Sequence, residues 1–286
     1  SNREAYDEDL DKDNLNTGAS FTQMINNVLM YKDGSGNESS DYQVAQGLSA
    51  DIYSGYIGPT GTWQSGSNTC TYNMSWYEQS FTKPFTKIMT AWANLKKVTE
   101  KSNQPAVQAL ADIIKVEGMH RVTDTYGPLP YTGFGNGTLG VAFDRQQDIY
   151  KKFFAELDAA IETLTPLAKS GSSLMSKYDN IYAGNVTNWV KFANTLRLRL
   201  AMRIAYADPT LAQQEAEKAV SNAIGLIEKA DERAELLHSM VNYYHPYADV
   251  QDFNDGEARM SAAMDSYLNG YNDPRIATYF VAAKSD

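Results

Sequence analysis

The chain has 286 residues, 43% of them hydrophobic, and carries 25 Lys and Arg against 35 Asp and Glu, a formal net charge of −10. That length supplies a sizeable core for one large domain or two modest ones, while the acidic excess offers no basic stripe for nucleic acid and disfavours anionic membrane surfaces. A single cysteine, Cys70, excludes an intrachain disulfide framework, and no apolar run reaches the length needed to span a bilayer.

Residues 1–18 hold Glu4, Asp7, Glu8, Asp9, Asp11 and Asp13 with almost nothing apolar, and read as a flexible acidic tether. No signal peptide is evident, so any export signal is expected to have been removed. From 19 to 286 apolar residues recur mainly with helical spacing, which predicts one helical domain. Residues 19–31 and 41–54 give two short helices. A third covers 83–101, with Ile88, Ala91, Trp92 and Leu95 on one face. The next opens at Pro105, favoured in a first turn because its missing N–H has no helical partner there, and runs to about Thr125. Residues 144–164 follow, with Asp144 as the expected cap and Pro166 as the stop. In 185–207, Trp189, Phe192, Ala193, Leu196, Leu200 and Ile204 line one face, and Leu198 and Met202 widen the stripe, so this helix is expected to pack on more than one side. Residues 210–224 and 257–270 complete the set. Strand signals are scarce, and helix pairs joined by short breaks predict antiparallel hairpins. YKKFFAELDAAIETL (150–164) has the large-small apolar spacing of tetratricopeptide helices, without a fixed 34-residue period.

Three inserts rich in aromatics, Gly and Asn interrupt the helices: 53–82, 126–143 and 241–256. Within 53–77 six of 25 residues are aromatic (Tyr53, Tyr56, Trp63, Tyr72, Trp76 and Tyr77), about double the 12% chain average. Long loops of this composition are expected to be functional. The second insert begins with an emphatic stop, VTDTYGPLPYTGFGNG (122–137), in which Pro128 and Pro130 remove backbone donors and fix φ.

Catalytic constellations are hard to find. His120, His238 and His245 do not accompany a serine elbow, Cys70 has no histidine near it in sequence, and no phosphate-cradling glycine loop opens a helix. Glu117-x-x-His120 and Glu235-x-x-His238 match half of a di-iron helical-bundle site. Glu156 is a third mid-helix carboxylate and no fourth is evident, so surface i,i+3 pairs are the plainer reading and no metal or cofactor is expected. Arg197, Arg199 and Arg203 with Lys191 form a basic cluster; in so acidic a chain, pairing with carboxylates of neighbouring helices explains them better than an anion site does. The aromatic loops point elsewhere. A pyranose presents apolar C–H faces and a hydroxyl rim, which flat rings and Asn, Asp, Gln or Arg accommodate, and Tyr and Trp combine an apolar body with a polar tip. Anchoring of the loops on the core is the plainer reading of any one of these rings, and binding the better reading of the set.

VTDTYGPLPY (122–131) resembles the Asp-x-Tyr-Gly-x-(Ile/Leu)-Pro-Tyr signature of SusD/RagB-like outer-membrane nutrient-binding lipoproteins. YAGNVTNWVKFANTLRLRLAMR (182–203) resembles that family's Trp-x-Lys-(Phe/Leu)-Ala-Asn-(Ser/Thr)-Leu-(Arg/Lys)-Leu-Arg-Leu-Ala-Met-Arg segment, and RMSAAMDSYLNGYNDPRIATYF (259–280) is similar to its Asp-Pro-Arg segment. The resemblance runs in family order from about residue 40 onward. It implies a mainly α fold of four tetratricopeptide-like units with an irregular ligand-binding portion, which binds without catalysing. It also implies a cell-surface lipoprotein that captures oligosaccharides or other nutrients for a TonB-dependent SusC-like transporter. Family members are anchored through a lipidated N-terminal cysteine; none precedes Cys70, so that anchor is expected to be absent from this chain. Members also continue well past the Asp-Pro-Arg segment, so the chain is expected to be incomplete. The family draws ligand aromatics from the segments matching 53–77 and 242–255, which makes Trp63, Trp76, Tyr243, Tyr244 and Tyr247 the expected stacking residues. Asn68, Asn73, His245 and Asp249 are their expected polar partners. On this reading 122–131 is architectural. The alternatives are a tetratricopeptide-like scaffold for a peptide or protein and, less favoured, the di-metal bundle.

Overall fold

The computed structural model describes residues 17–29, 42–47, 49–61, 78–137, 140–236 and 258–282. The described residues are mostly helical, and the chain divides into two units, one formed by Ser1–Leu29 with Lys83–Val241 and the other by Met30–Thr82 with Asn242–Asp286. No helix among the described residues is long and apolar enough to cross a membrane.

The first unit contains α1 (Thr17–Leu29), α2 (Thr90–Lys101), α3 (Pro105–Tyr126), α4 (Gln146–Lys169), α5 (Val186–Arg203) and α6 (Pro209–Val220). From α2 onward each helix packs on the next, and α1 covers α2 and α3. This is the helical-hairpin architecture that the spacing predicts. Pro105 and Pro209 occupy first turns, and Asp208 caps α6 by accepting from the Leu211 N–H at 3.1 Å. α3 is the central helix, buried on almost every side from Val107 to Thr123, so its sequence shows little amphipathic contrast.

One buried cation ties this unit together. Lys115, on α3, is 2% exposed. Its Nζ lies 2.9 Å from Glu156 Oε1 on α4 and 3.6 Å from the centroid of the Trp92 ring on α2. The Tyr131 ring lies 4.8 Å away on another side, and the Tyr131 hydroxyl donates to Glu156 Oε2 at 2.6 Å. Trp92 Nε1 in turn donates to Asp112 at 2.6 Å. Burial pulls the lysine pKa down and the Glu156 carboxylate opposes it; burial and then Glu156 push the Tyr131 phenol well up. The stop motif is thereby explained. Gly127, at φ 74° and ψ −114°, ends α3 in a conformation that side-chain-bearing residues rarely adopt. Pro128 and Pro130 then lead to Tyr131, whose ring packs edge-on against Phe153 at 5.2 Å and closes the lysine site.

Asp144 departs from its expected role as a helix cap; Arg145 occupies that position. The Asp144 carboxylate instead accepts from the Tyr131 and Thr132 N–H groups at 3.1 and 2.7 Å, while its backbone pairs with Leu129 in both directions. It clasps the Pro-Leu-Pro-Tyr turn. Pro166 does not end α4 either. The helix continues to Lys169 because Leu164 and Ala168 remain in the core, whereas Glu162, whose carbonyl loses its donor to the proline, is exposed. A second buried carboxylate organises the entry to α5. Asp179 is fully buried and accepts from the N–H groups of Ile181, Tyr182 and Gly184 at 3.0, 3.0 and 2.8 Å and from Trp189 Nε1 at 2.7 Å. α5 ends at Arg203, short of 207. Met202 is 65% exposed, so it does not widen the buried stripe.

The second unit has a two-stranded antiparallel sheet, β1 (Ile57–Pro59) and β2 (Ala258–Met260), followed by α7 (Ala262–Gly270). β2 occupies the start of the helix expected over 257–270. A short helical turn, Ala50–Tyr53, precedes β1, and Ser80 Oγ donates to the Ala45 carbonyl at 2.8 Å.

His120 sits in the first unit at 1% exposure, with Nδ1 3.3 Å from the Val116 carbonyl, and no described group meets Nε2. Burial lowers its pKa, with Arg199 and Arg121 acting in the same direction and Glu117 and Asp124 opposing. A folded-state pKa below the usual 6.5 means that the unfolded chain takes up the proton first as pH falls. Stability is full above about pH 6.5 and declines as pH drops toward the folded value. Urea midpoints measured between pH 7.5 and 5.5 are expected to fall for the native chain and to fall less steeply for His120→Leu.

Candidate functional site

The sheet of the second unit pairs residues shortly before 62–77 with those just after 237–257. Ile57 pairs with Met260, Gly58 with Arg259 and Pro59 with Ala258. β1 leads directly into residues 62–77 and β2 directly follows 237–257. The ladder therefore holds the entrance of one loop and the exit of the other a single strand spacing apart, about 5 Å, although some 200 residues separate them. Ser261 reinforces the joint. Its N–H donates to the Tyr56 carbonyl at 3.3 Å, its hydroxyl donates to the Gly55 carbonyl, and the same hydroxyl accepts from the Met264 N–H at 3.0 Å as the cap of α7.

The sequence-expected residues Trp63, Asn68, Asn73 and Trp76 on the first loop, and Tyr243, Tyr244, His245, Tyr247 and Asp249 on the second, lie outside the described residues. Of the described aromatics beside the ladder, Tyr53 and Tyr56 are exposed. Tyr267 and Tyr271, on and just after α7, are 67% and 79% exposed, with ring planes 14° apart and centroids 6.3 Å apart. Sequence reasoning passed over this pair; the i,i+4 spacing of the two tyrosines on a predicted helix was the available signal. Two nearly parallel, solvated rings offer the apolar faces that a pyranose or another ring can cover.

Three of the four residues of the basic cluster resolve as expected into ion pairs. Arg197 meets Asp158 and lies 3.1 Å from Glu215, Arg203 Nε lies 2.8 Å from Asp124, and Lys191 pairs with Glu232. Arg199 is exposed and has no carboxylate partner among the described residues. Of the two Glu-x-x-His motifs, Glu117 approaches His120 only to 3.9 Å, and His238 lies outside the described residues. The described residues contain no group of three or more metal-competent side chains. A cleft of about 580 Å³ along α4 and α6 is walled by Asp158, Arg197 and Lys218, which are engaged with one another, and has no aromatic lining.

Because one hydroxyl serves both the ladder and α7, Ser261→Ala is expected to cost about 1 kcal/mol locally. Hydrogen exchange should then quicken in residues 55–61 and 258–264 while α3 and α4 keep their protection; unchanged exchange at the ladder would show that Ser261 does not hold it.

The model of the SusD-like family, described as "Susd and RagB outer membrane lipoprotein", matches residues 1–286. Among solved structures, a chitin-binding SusD homolog from Flavobacterium johnsoniae is 38% identical with a TM-score of 0.85, over 94% of this chain and 55% of that one. A SusD homolog from Bacteroides vulgatus is 32% identical with a TM-score of 0.81, over 91% and 52%. A structure titled chitin-binding protein is 28% identical with a TM-score of 0.71, over 92% and 54%. The chain thus spans about half the length of these relatives. No curated protein matches it. The matched model covers the whole chain: the chain belongs to the SusD/RagB family.

Proposed function

We propose that this chain captures neutral oligosaccharides at the aromatic loops 62–77 and 242–257 without cleaving them, and that it does so at the outer-membrane surface for a SusC-like TonB-dependent transporter. The observation that carries the reading is the β1–β2 ladder, which joins the ends of the two aromatic-rich segments. Trp63, Trp76, Tyr243, Tyr244 and Tyr247 supply ring faces for the C–H faces of the sugars. Asn68, Asn73, His245 and Asp249 hydrogen-bond the hydroxyl rim, and Tyr53 and Tyr56 extend the aromatic surface. Chains of β-linked N-acetylglucosamine are the first ligand class to try, because a relative sharing 38% of its residues is described as chitin-binding. Such chains are uncharged, which suits a protein of net charge −10 better than an acidic glycan would. In the native setting a lipid attached ahead of the acidic segment holds the protein at the membrane.

Intrinsic tryptophan fluorescence titrated with chitohexaose, maltohexaose and a panel of peptides tests the reading. Saturable quenching or enhancement is expected with chitohexaose and not with peptides. Trp63→Ala and Tyr244→Ala should each weaken binding about tenfold or more, equivalent to about 1.4 kcal/mol or more of lost contact. Saturation by peptides alone would favour the scaffold reading instead.

A further inference from the structure

Asparagine is followed by glycine at two places in the chain, Asn136-Gly137 and Asn269-Gly270. In such a pair the glycine nitrogen can attack the asparagine side-chain amide, because glycine adds no Cβ to block the approach or restrict the backbone. In a folded chain the reaction also needs both groups to be free, and the fold treats the two pairs differently. We propose that Asn136 is a site of spontaneous deamidation, converting to aspartate and isoaspartate in the native protein, whereas Asn269 is protected.

Asn136 lies in the glycine-rich insert 126–143, which the binding reading leaves without a role. The chain is held up to this point. Phe134 packs on Phe85 with ring centroids 5.8 Å apart, and Gly135 passes α2 so closely that an added Cβ would lie 3.3 Å from that of Ala93. Beyond this anchor the two reacting groups are unrestrained. Asn136 is exposed and its side-chain amide has no hydrogen-bond partner among the described residues; only its backbone N–H is engaged, with the Gly133 carbonyl at 3.4 Å. Gly137 is exposed at φ 75°, nothing lies within 4 Å of the position its Cβ would take, and its N–H donates to no described group. The second pair has neither freedom. Asn269 Nδ2 donates to Asp265 Oδ1 at 2.7 Å, and Gly270 belongs to the last turn of α7, which the Tyr271 N–H closes on the Tyr267 carbonyl at 3.1 Å. Attack there requires that turn to open first, as hydrogen exchange does.

The chemistry needs only solvent. Gly137 N gives up its proton to water and bonds to the Asn136 side-chain carbonyl carbon; the bond from that carbon to the amide nitrogen breaks, and ammonia leaves with a proton from water. Water then opens the resulting succinimide at one carbonyl to give aspartate, or at the other to give isoaspartate, in which the main chain runs through the side-chain methylene. Either product adds one carboxylate, taking the formal net charge from −10 to −11. The change falls just past the Phe134 anchor, on the solvent side, so the helical core keeps its packing.

Tryptic mapping of the full chain incubated in mildly alkaline buffer tests the proposal. Cleavage at Arg121 and Arg145 releases 122–145, in which Asn136 is the only amide side chain, and cleavage at Arg259 and Arg275 releases 260–275 with Asn269. In the native chain 122–145 is expected to gain the acid-for-amide mass change, and to accept isoaspartyl methylation, about tenfold or more faster than 260–275. In guanidinium the two peptides should convert at similar rates. Asn136→Gln, which moves the reacting carbon one methylene further away, should abolish the labelling of 122–145 without changing the melting temperature. A native chain whose 122–145 stays unmodified while the unfolded chain converts would overturn the site. Equal native rates for the two peptides would overturn the structural protection of Asn269, and labelling that persists in Asn136→Gln would overturn the assignment to Asn136.

Discussion

A lysine side chain in a protein interior must be met on every side or the fold does not close, and Lys115 sets that condition for the helical unit. Desolvating an ammonium costs several kcal/mol, and here the cost is offset by three elements at once: the Glu156 carboxylate from α4, the Trp92 face from α2 and the Tyr131 face from the turn after α3. Cation–π contacts gain strength as water is excluded, so the aromatic walls count for more here than on a surface. The requirement explains why the segment after α3 is built so rigidly. Tyr131 has to arrive at one position, and Gly127, the two prolines and the Asp144 clasp leave the backbone few other routes. The same segment places Asp124 against Arg203 and Tyr150, so the two signature segments, 122–131 and 182–203, are coupled through charge as well as packing.

The second unit follows a different logic. Its described part buries few apolar side chains; along α7 only Leu268 is buried. Its organisation comes from backbone pairing, a three-residue ladder and one serine. A short ladder of this kind supplies little stability by itself, but it holds the residues shortly before 62–77 beside those just after 237–257.

The sequence made the helices legible because their signals are local. Pro105, Pro209 and the break at Gly127 mark boundaries within a residue or two, and two of the three arginines of α5, Arg197 and Arg203, pair with carboxylates as an acidic chain leads one to expect. Roles that depend on distant partners were not legible. Asp144 has the look of a helix cap until Leu129 folds back on it. Pro166 has the look of a stop until burial of Ala168 carries the helix through it. Lys115 and Glu156 are 41 positions apart, and neither residue alone announces a buried charge pair. β2 is three residues, Ala-Arg-Met, whose partner strand lies some 200 positions away, and no periodicity can show in so short a segment. Of the candidate site, composition marked the aromatic-rich segments, while the β1–β2 pairing beside them and the Tyr267–Tyr271 pair required the fold.

The central claim, that the helical unit is organised around one buried charge, is tested most directly by a double-mutant cycle on Lys115 and Glu156, read by urea unfolding at pH 7. Lys115→Met and Glu156→Leu are each expected to destabilise by about 3–5 kcal/mol, because each strands the other charge in the interior. The double variant should lose far less than their sum, with a coupling of about 2 kcal/mol or more. Additive losses, or single variants as stable as the native chain, would contradict the account and make Lys115 an incidental occupant of the core.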